Sequence, residues 1–240
     1  MPPVGASVEE PAAHRPIAGV THTVIVIAAI AAWALIGKLS ADHLGAGAHP
    51  NRLPIYLTTL AGEWLMFALV VMGVLRANVP MSAVTGRPWR NWGSLLIDIA
   101  IAAGFWVLAI VVLEVLSRLL RTTGIGADLR ALLPHSVADR VLWVLLSVSA
   151  GICEETIFRG YLQRQLIVLM HSRLAGILLA AAAFGAAHIY QGARMVALIS
   201  VYGAMFGALA DWRRSVRPGM IAHAWHDAFT GLVAARMLQR

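Results

Sequence analysis

The 240-residue sequence is poor in charge and nearly lacks cysteine: Asp, Glu, Lys and Arg make up 13% of it, and Cys153 is its single thiol. One cysteine excludes a disulfide framework. A soluble domain carries about 25% charged residues. The deficit here, beside a hydrophobic content of 59%, excludes a water-soluble globule and a disordered chain. Lysine is scarcer still, Lys38 alone against eighteen arginines. That habit, with abundant alanine, fits a GC-rich bacterial genome and makes a bacterial inner membrane the expected location. The net charge of +7 and pI near 10.7 invite a nucleic-acid reading. The arginines, however, lie between apolar runs and form no basic stripe, so no nucleic-acid partner is expected and they read as membrane-flanking charge. The first sixteen residues hold Glu9, Glu10, Arg15 and four prolines. They read as a polar tail (1–16), without the basic stretch and short apolar core of a secretory signal.

What the chain does have is long apolar runs. A hydrocarbon core about 30 Å thick takes about 20 residues of helix. Spans are expected at 17–38, 54–76, 94–118, 141–166, 173–191, 195–211 and 216–237. An eighth is conceivable at 124–139, where Leu129, Leu132 and Leu133 are followed by Pro134, and an interfacial segment is the expectation there. The stretches 43–54 and 77–93 read as loops. Trp89, Trp92 and Trp212 fall near span ends, where indole rings favour the headgroup region. The expected fold is an all-α polytopic bundle of seven to eight helices, one membrane-embedded domain over 17–240. The Lys and Arg count on the two sides is tied at nine each, so the sequence sets no orientation.

Polar side chains deep in a span cost about 2.5–3.5 kcal/mol each when charged, even on a lenient scale, and so require a reason. Most fall in the C-terminal half: Glu154, Glu155 and Arg159 in span four, His188 in span five, His223, His226 and Asp227 in span seven. Residues four apart share a helix face. Glu155 is therefore expected to pair with Arg159, while Glu154, about 100° round the helix, stays free to act. Phe184 with His188 and His223 with Asp227 repeat the spacing, so three helices offer polar groups to one interior point. His226 faces elsewhere and reads as packing. Glu63, Asp98 and Glu114 read as interhelical contacts or span-end residues, and His22 as an interfacial group. Cys153, buried among apolar neighbours, reads as inert packing. Gly203 and Gly207 form a GxxxG expected to bring span six against a catalytic helix.

Glu154-Glu155-Thr156-Ile157-Phe158-Arg159, Phe184-Gly185-Ala186-Ala187-His188 and His223-Ala224-Trp225-His226-Asp227, in that order, resemble a known signature. It is that of the CPBP membrane proteins, the CAAX-protease and bacteriocin-processing family (ABI, or type II CAAX endopeptidases), with EExxxR, FxxxH and HxxxN or HxxxD on successive helices. The resemblance covers about residues 140–235. It implies an intramembrane endopeptidase, a hydrolase that uses a glutamate-activated water and needs no cofactor or metal. Glu154 would be the general base and His188 its partner in holding water. Glu155, Arg159 and Phe184 would support the site, and His223 with Asp227 would stabilise the oxyanion. Relatives that process prenylated CAAX proteins carry Asn at the last position. Asp227 stands there instead, and an ionised carboxylate cannot donate a hydrogen bond. Either Asp227 is protonated, or it holds a protonated His223 that donates in its place.

The expected partners are a peptide or membrane-protein substrate and the lipid bilayer. Two other readings use the same residues. Glu154, His188, His223 and Asp227 are N and O donors of the kind that bind zinc in a metalloprotease, although no HExxH is present. Acid and histidine relays also serve proton-coupled transporters, and a non-proteolytic scaffold or immunity protein is the third class.

Overall fold

The computed structural model describes residues 16–44, 51–121 and 132–238. It is helical throughout, with no strand among the described residues. The helices are α1 (Val20–Leu44), α2 (Arg52–Arg76), α3 (Met81–Thr85), α4 (Trp92–Leu119), α5 (Val137–Glu154), α6 (Gln163–Met170), α7 (Arg173–Ala187), α8 (Ala193–Arg213) and α9 (Arg217–Leu238). A π-helical segment, Glu155–Leu162, joins α5 to α6, so that Val137–Met170 forms one rod of 34 residues. Helix starts follow side-chain caps: Asn51 accepts from the N–H of Leu53, and Asn91 with Ser94 and Ser136 with Asp139 form reciprocal capping boxes.

Among the described residues five helical stretches are long and apolar enough to cross a bilayer: Val20–His43, Arg52–Arg76, Trp92–Leu119, Val137–Met170 and Ala193–Arg213. The protein is thus a multi-pass membrane protein. Their outward faces carry large apolar residues such as Leu65, Leu96 and Leu119, more than 60% exposed, as lipid contact requires. Helix α7 is apolar but only 15 residues long. It ends at Ala187, so His188 is its C-terminal cap rather than a mid-span residue, and a 3₁₀ turn, Ile189–Gln191, follows. Gly192, at φ 92°, closes that turn in a conformation that favours glycine.

Two sequence expectations change. The connection over 77–93, expected to be a loop, contains α3; its Val84 is buried, and a Cβ on Gly160 would come within 2.7 Å of Val84 Cγ1. His22, expected at the interface, turns inward instead: its Nδ1 lies 2.8 Å from the Tyr161 hydroxyl and its Nε2 3.0 Å from the Leu69 carbonyl oxygen. An inward His22 satisfies two polar groups that lipid would leave bare. Most of the conceivable eighth segment, Leu129 included, lies outside the described residues. Of its described part, Leu133 is buried against Ala234 and Ala235 of α9.

Beside the His22–Tyr161 contact, Gln165 fastens the start of α1 to the long rod. Gln165, fully buried, accepts from the N–H of Ile17 and of Ala18 and donates to the Ala18 carbonyl and to Thr23 Oγ1. Gln165→Leu would strand those backbone groups, each at a cost of about 1–3 kcal/mol. The expected result is a clear fall in the thermal unfolding midpoint of the purified protein. An unchanged midpoint would show that the contact carries no stability.

Candidate active site

The catalytic candidates start from a fault in a helix. At the end of α5, the Ile152 carbonyl accepts both the Thr156 hydroxyl, at 2.7 Å, and the N–H of Glu155. Such a hydroxyl-to-carbonyl bond one turn back bends helices. Beyond it the ladder runs i to i+5 through Leu162, and all eight residues of the segment are buried. π-helical turns of this kind are frequent at functional sites. This one places Glu155 and Arg159 in the middle of the bundle.

Three polar groups there form a sealed chain. Glu155 Oε1 accepts from Arg159 Nη1 at 2.8 Å and from His223 Nδ1 at 3.0 Å. Glu155 is 0%, Arg159 2% and His223 4% exposed, so water screens none of them. The Arg159 guanidinium also donates to the Gly203 carbonyl. It lies 4.0 Å from the centre of the Phe184 ring and 5.0 Å from that of Phe206, both within cation–π range. Phe206 in turn stacks on the His223 ring.

Small residues permit this convergence. A Cβ on Gly151 of α5 would lie 2.6 Å from the Met220 carbonyl oxygen, and one on Gly219 would lie 3.1 Å from Glu155 Oε2. These glycines bring α9 onto the rod. Gly203 and Gly207 do the same for α8: Cβ atoms there would meet Phe184 and Gln163 at 3.0 and 2.5 Å. The GxxxG thus packs against both α7 and the long rod, and its carbonyls accept from Arg159 and Gln163.

The other motif residues keep some exposure. His223 Nε2 is turned toward Glu154 Oε2, at 3.7 Å, and Asp227 Oδ2, at 3.4 Å. The Glu154 and Asp227 side chains are 20% and 35% exposed, against 0% for Glu155. The motif therefore has a dry inner half and a half that water can reach. His188 is half-buried; its Nδ1–H donates to the Phe184 carbonyl at 2.9 Å, which leaves Nε2 as its outward atom. His188 lies within electrostatic reach of Asp227 but forms no ion pair with Glu154.

Glu63 of α2 belongs to the same neighbourhood. It accepts from Ser149 Oγ at 2.7 Å, the interhelical contact expected of it, and it also feels the charges of Glu154, His223 and Asp227. The sequence offered one signal for it, a carboxylate inside an apolar run. Asp98 and Glu114 lie elsewhere: Asp98 bonds Arg213 and Trp89, and Glu114 forms an exposed pair with Arg118. His226 turns away from the sealed chain and packs on Tyr202, with ring centres 4.9 Å apart. Cys153 is buried, 3.9 Å from Ser149 Oγ. Among the described residues no group of three or more His, Cys, Asp or Glu is arranged to hold a metal ion.

Residues 136–229 match the family model of the type II CAAX prenyl endopeptidases, Rce1-like, and so support the likeness to the CAAX-protease family seen in the motifs. No curated protein and no solved structure matches the chain.

Arg159→Gln would leave the Glu155 carboxylate buried and short of its main counter-charge. Removing one partner of a buried pair costs about 3–5 kcal/mol, whereas Arg118→Gln, in the exposed pair, should change stability by less than about 1 kcal/mol. Denaturant unfolding of the two variants checks this; equal effects would contradict it.

Proposed function

We propose that this multi-pass membrane protein, whose residues 136–229 match the CAAX-protease family model, is an intramembrane endopeptidase that hydrolyses a peptide bond with a water activated by Glu154. The observation that carries the reading is the orientation of His223. With Nδ1–H given to Glu155, only Nε2 is presented to the half of the site that water can reach, between Glu154 and Asp227.

Peptide hydrolysis needs a base for the attacking water, a donor for the carbonyl oxygen and a proton for the departing amine. Glu154, exposed enough to meet water, takes the water proton as the oxygen attacks the carbonyl carbon. His188 Nε2, left outward by the bond from Nδ1 to Phe184, orients that water. Negative charge then develops on the carbonyl oxygen, and a proton on His223 Nε2 is the donor closest to it. Asp227 serves as the acceptor that steadies this imidazole, the second of the two roles its carboxylate allows. A single preorganised oxyanion donor is worth about 2.7–4 kcal/mol. Collapse of the tetrahedral intermediate breaks the C–N bond, and the proton held by Glu154 passes to the amine. Glu155 and Arg159 touch no substrate; they are positioning residues. The substrate is a peptide or a segment of a membrane protein that reaches the site within the bilayer.

Proteolysis is tested with Glu154→Gln, which keeps the shape and removes the base. Loss of at least about a hundredfold in turnover is expected, in line with general-base contributions of about 10²–10⁴. The readout is membrane peptidomics on cells carrying wild type or variant, followed by cleavage of any accumulating peptide by the purified protein. Glu114→Gln is the control, since Glu63 stands too near the site to serve. Chelators should leave cleavage unchanged. Equal effects of the two substitutions, or loss with chelator and recovery with zinc, would overturn the reading.

A further inference from the structure

A cavity of about 650 Å³ opens where α6 meets the end of α8 and the stretch around α3. Its inner wall includes Arg159 and Gln163, both buried. Half-buried Arg164 stands further out, and exposed Arg87, Arg173 and Arg214 line it toward solvent. Asp211 is the only carboxylate among the described residues of its lining.

This is an unusual collection for a protein so short of charge. Arg159 is already paired with Glu155, so among the described residues the remaining four guanidiniums face one acid, an excess of three positive charges. Arg173 reaches Asp211 only at 3.9 Å. Arg164 lies within electrostatic reach of Arg214, a like charge, as well as of Asp211. Left alone, such a cluster repels itself; an anion in its midst relieves that repulsion. The guanidinium fork matches phosphate oxygens two at a time. The level in the bilayer agrees. The cavity is lined by helix ends that all lie on one side of the bundle, and exposed Trp89, Trp92 and Trp212 stand at ends on that same side. Basic pockets between helices at headgroup level take anionic lipid heads.

We propose that this cavity binds a phosphate group whose negative charge no attached cation cancels, as in anionic phospholipid heads or the free ion. Its inner wall is the same Arg159 that holds Glu155. A bound phosphate would therefore sit one residue away from the chain that orients His223. The site stands on its own residues and does not require the peptidase reading.

The test uses the full chain in an uncharged detergent and follows thermal unfolding. Dioctanoyl-phosphatidylglycerol, dioctanoyl-phosphatidylcholine and inorganic phosphate are titrated separately. Phosphatidylglycerol should raise the midpoint saturably, by about 5 °C near saturation, and phosphatidylcholine should not. An equal rise with inorganic phosphate would make the free ion the ligand; a rise with phosphatidylglycerol alone would make it a lipid head. Arg164→Gln with Arg214→Gln should abolish the rise, while Arg118→Gln with Arg194→Gln, on the opposite side, should preserve it. If the first pair fails to fold, Arg87→Gln with Arg173→Gln, at exposed positions, should weaken binding about tenfold. No rise with either anion, the same rise with phosphatidylcholine, or a rise untouched by these substitutions would overturn the proposal.

Discussion

A carboxylate with no access to water lies at the centre of this molecule. Glu155 is sealed inside a lipid-facing bundle, where an unpaired charge is prohibitively expensive. It is tolerable because Arg159 and His223 both donate to one of its oxygens. That requirement fixes much else. The guanidinium must be packed, and Phe184 and Phe206 pack it; the imidazole must arrive from another helix, and the glycines at 151 and 219 let α9 come close enough.

Buried ion pairs add little stability over a well-packed apolar core, and their best-attested use is to enforce one arrangement. Here the arrangement enforced is the direction of a ring. With Nδ1 occupied by Glu155, the other nitrogen of His223 is aimed at Glu154 and Asp227. Two adjacent glutamates thus have different environments: Glu155 is dry and held by two donors, while Glu154 keeps a fifth of its side-chain surface exposed. The π-helical turn that begins at Glu155 lies where these environments divide.

Much of this was legible in the sequence. Long apolar runs with scarce charge gave the all-α membrane architecture, and the four-residue spacing of Glu155 and Arg159 gave their pairing. The GxxxG at Gly203 and Gly207 marked a close helix contact, which the structure extends by using both carbonyls as acceptors. Other features depend on the third dimension. Periodicity cannot distinguish a π turn from an α turn inside an apolar run. A place near the start of the first apolar run put His22 at the membrane surface, because the partners that draw it inward, Tyr161 and Leu69, are distant in sequence. Glu63 was visible as an odd carboxylate, yet its nearness to Glu154 required α2 to pack on α5. The basic cavity draws on segments from Pro16 to Val216, and no local run of arginine announces it.

The orientation of the His223 ring is open to direct measurement by ¹⁵N NMR of histidine-labelled protein, with His223 assigned by substitution. His223 should show a protonated Nδ1 shielded from solvent exchange. That signal should persist in Glu154→Gln and be lost or exposed in Glu155→Leu, which removes the acceptor. A His223 whose Nδ1 carries no proton, or whose signal ignores Glu155, would contradict the account.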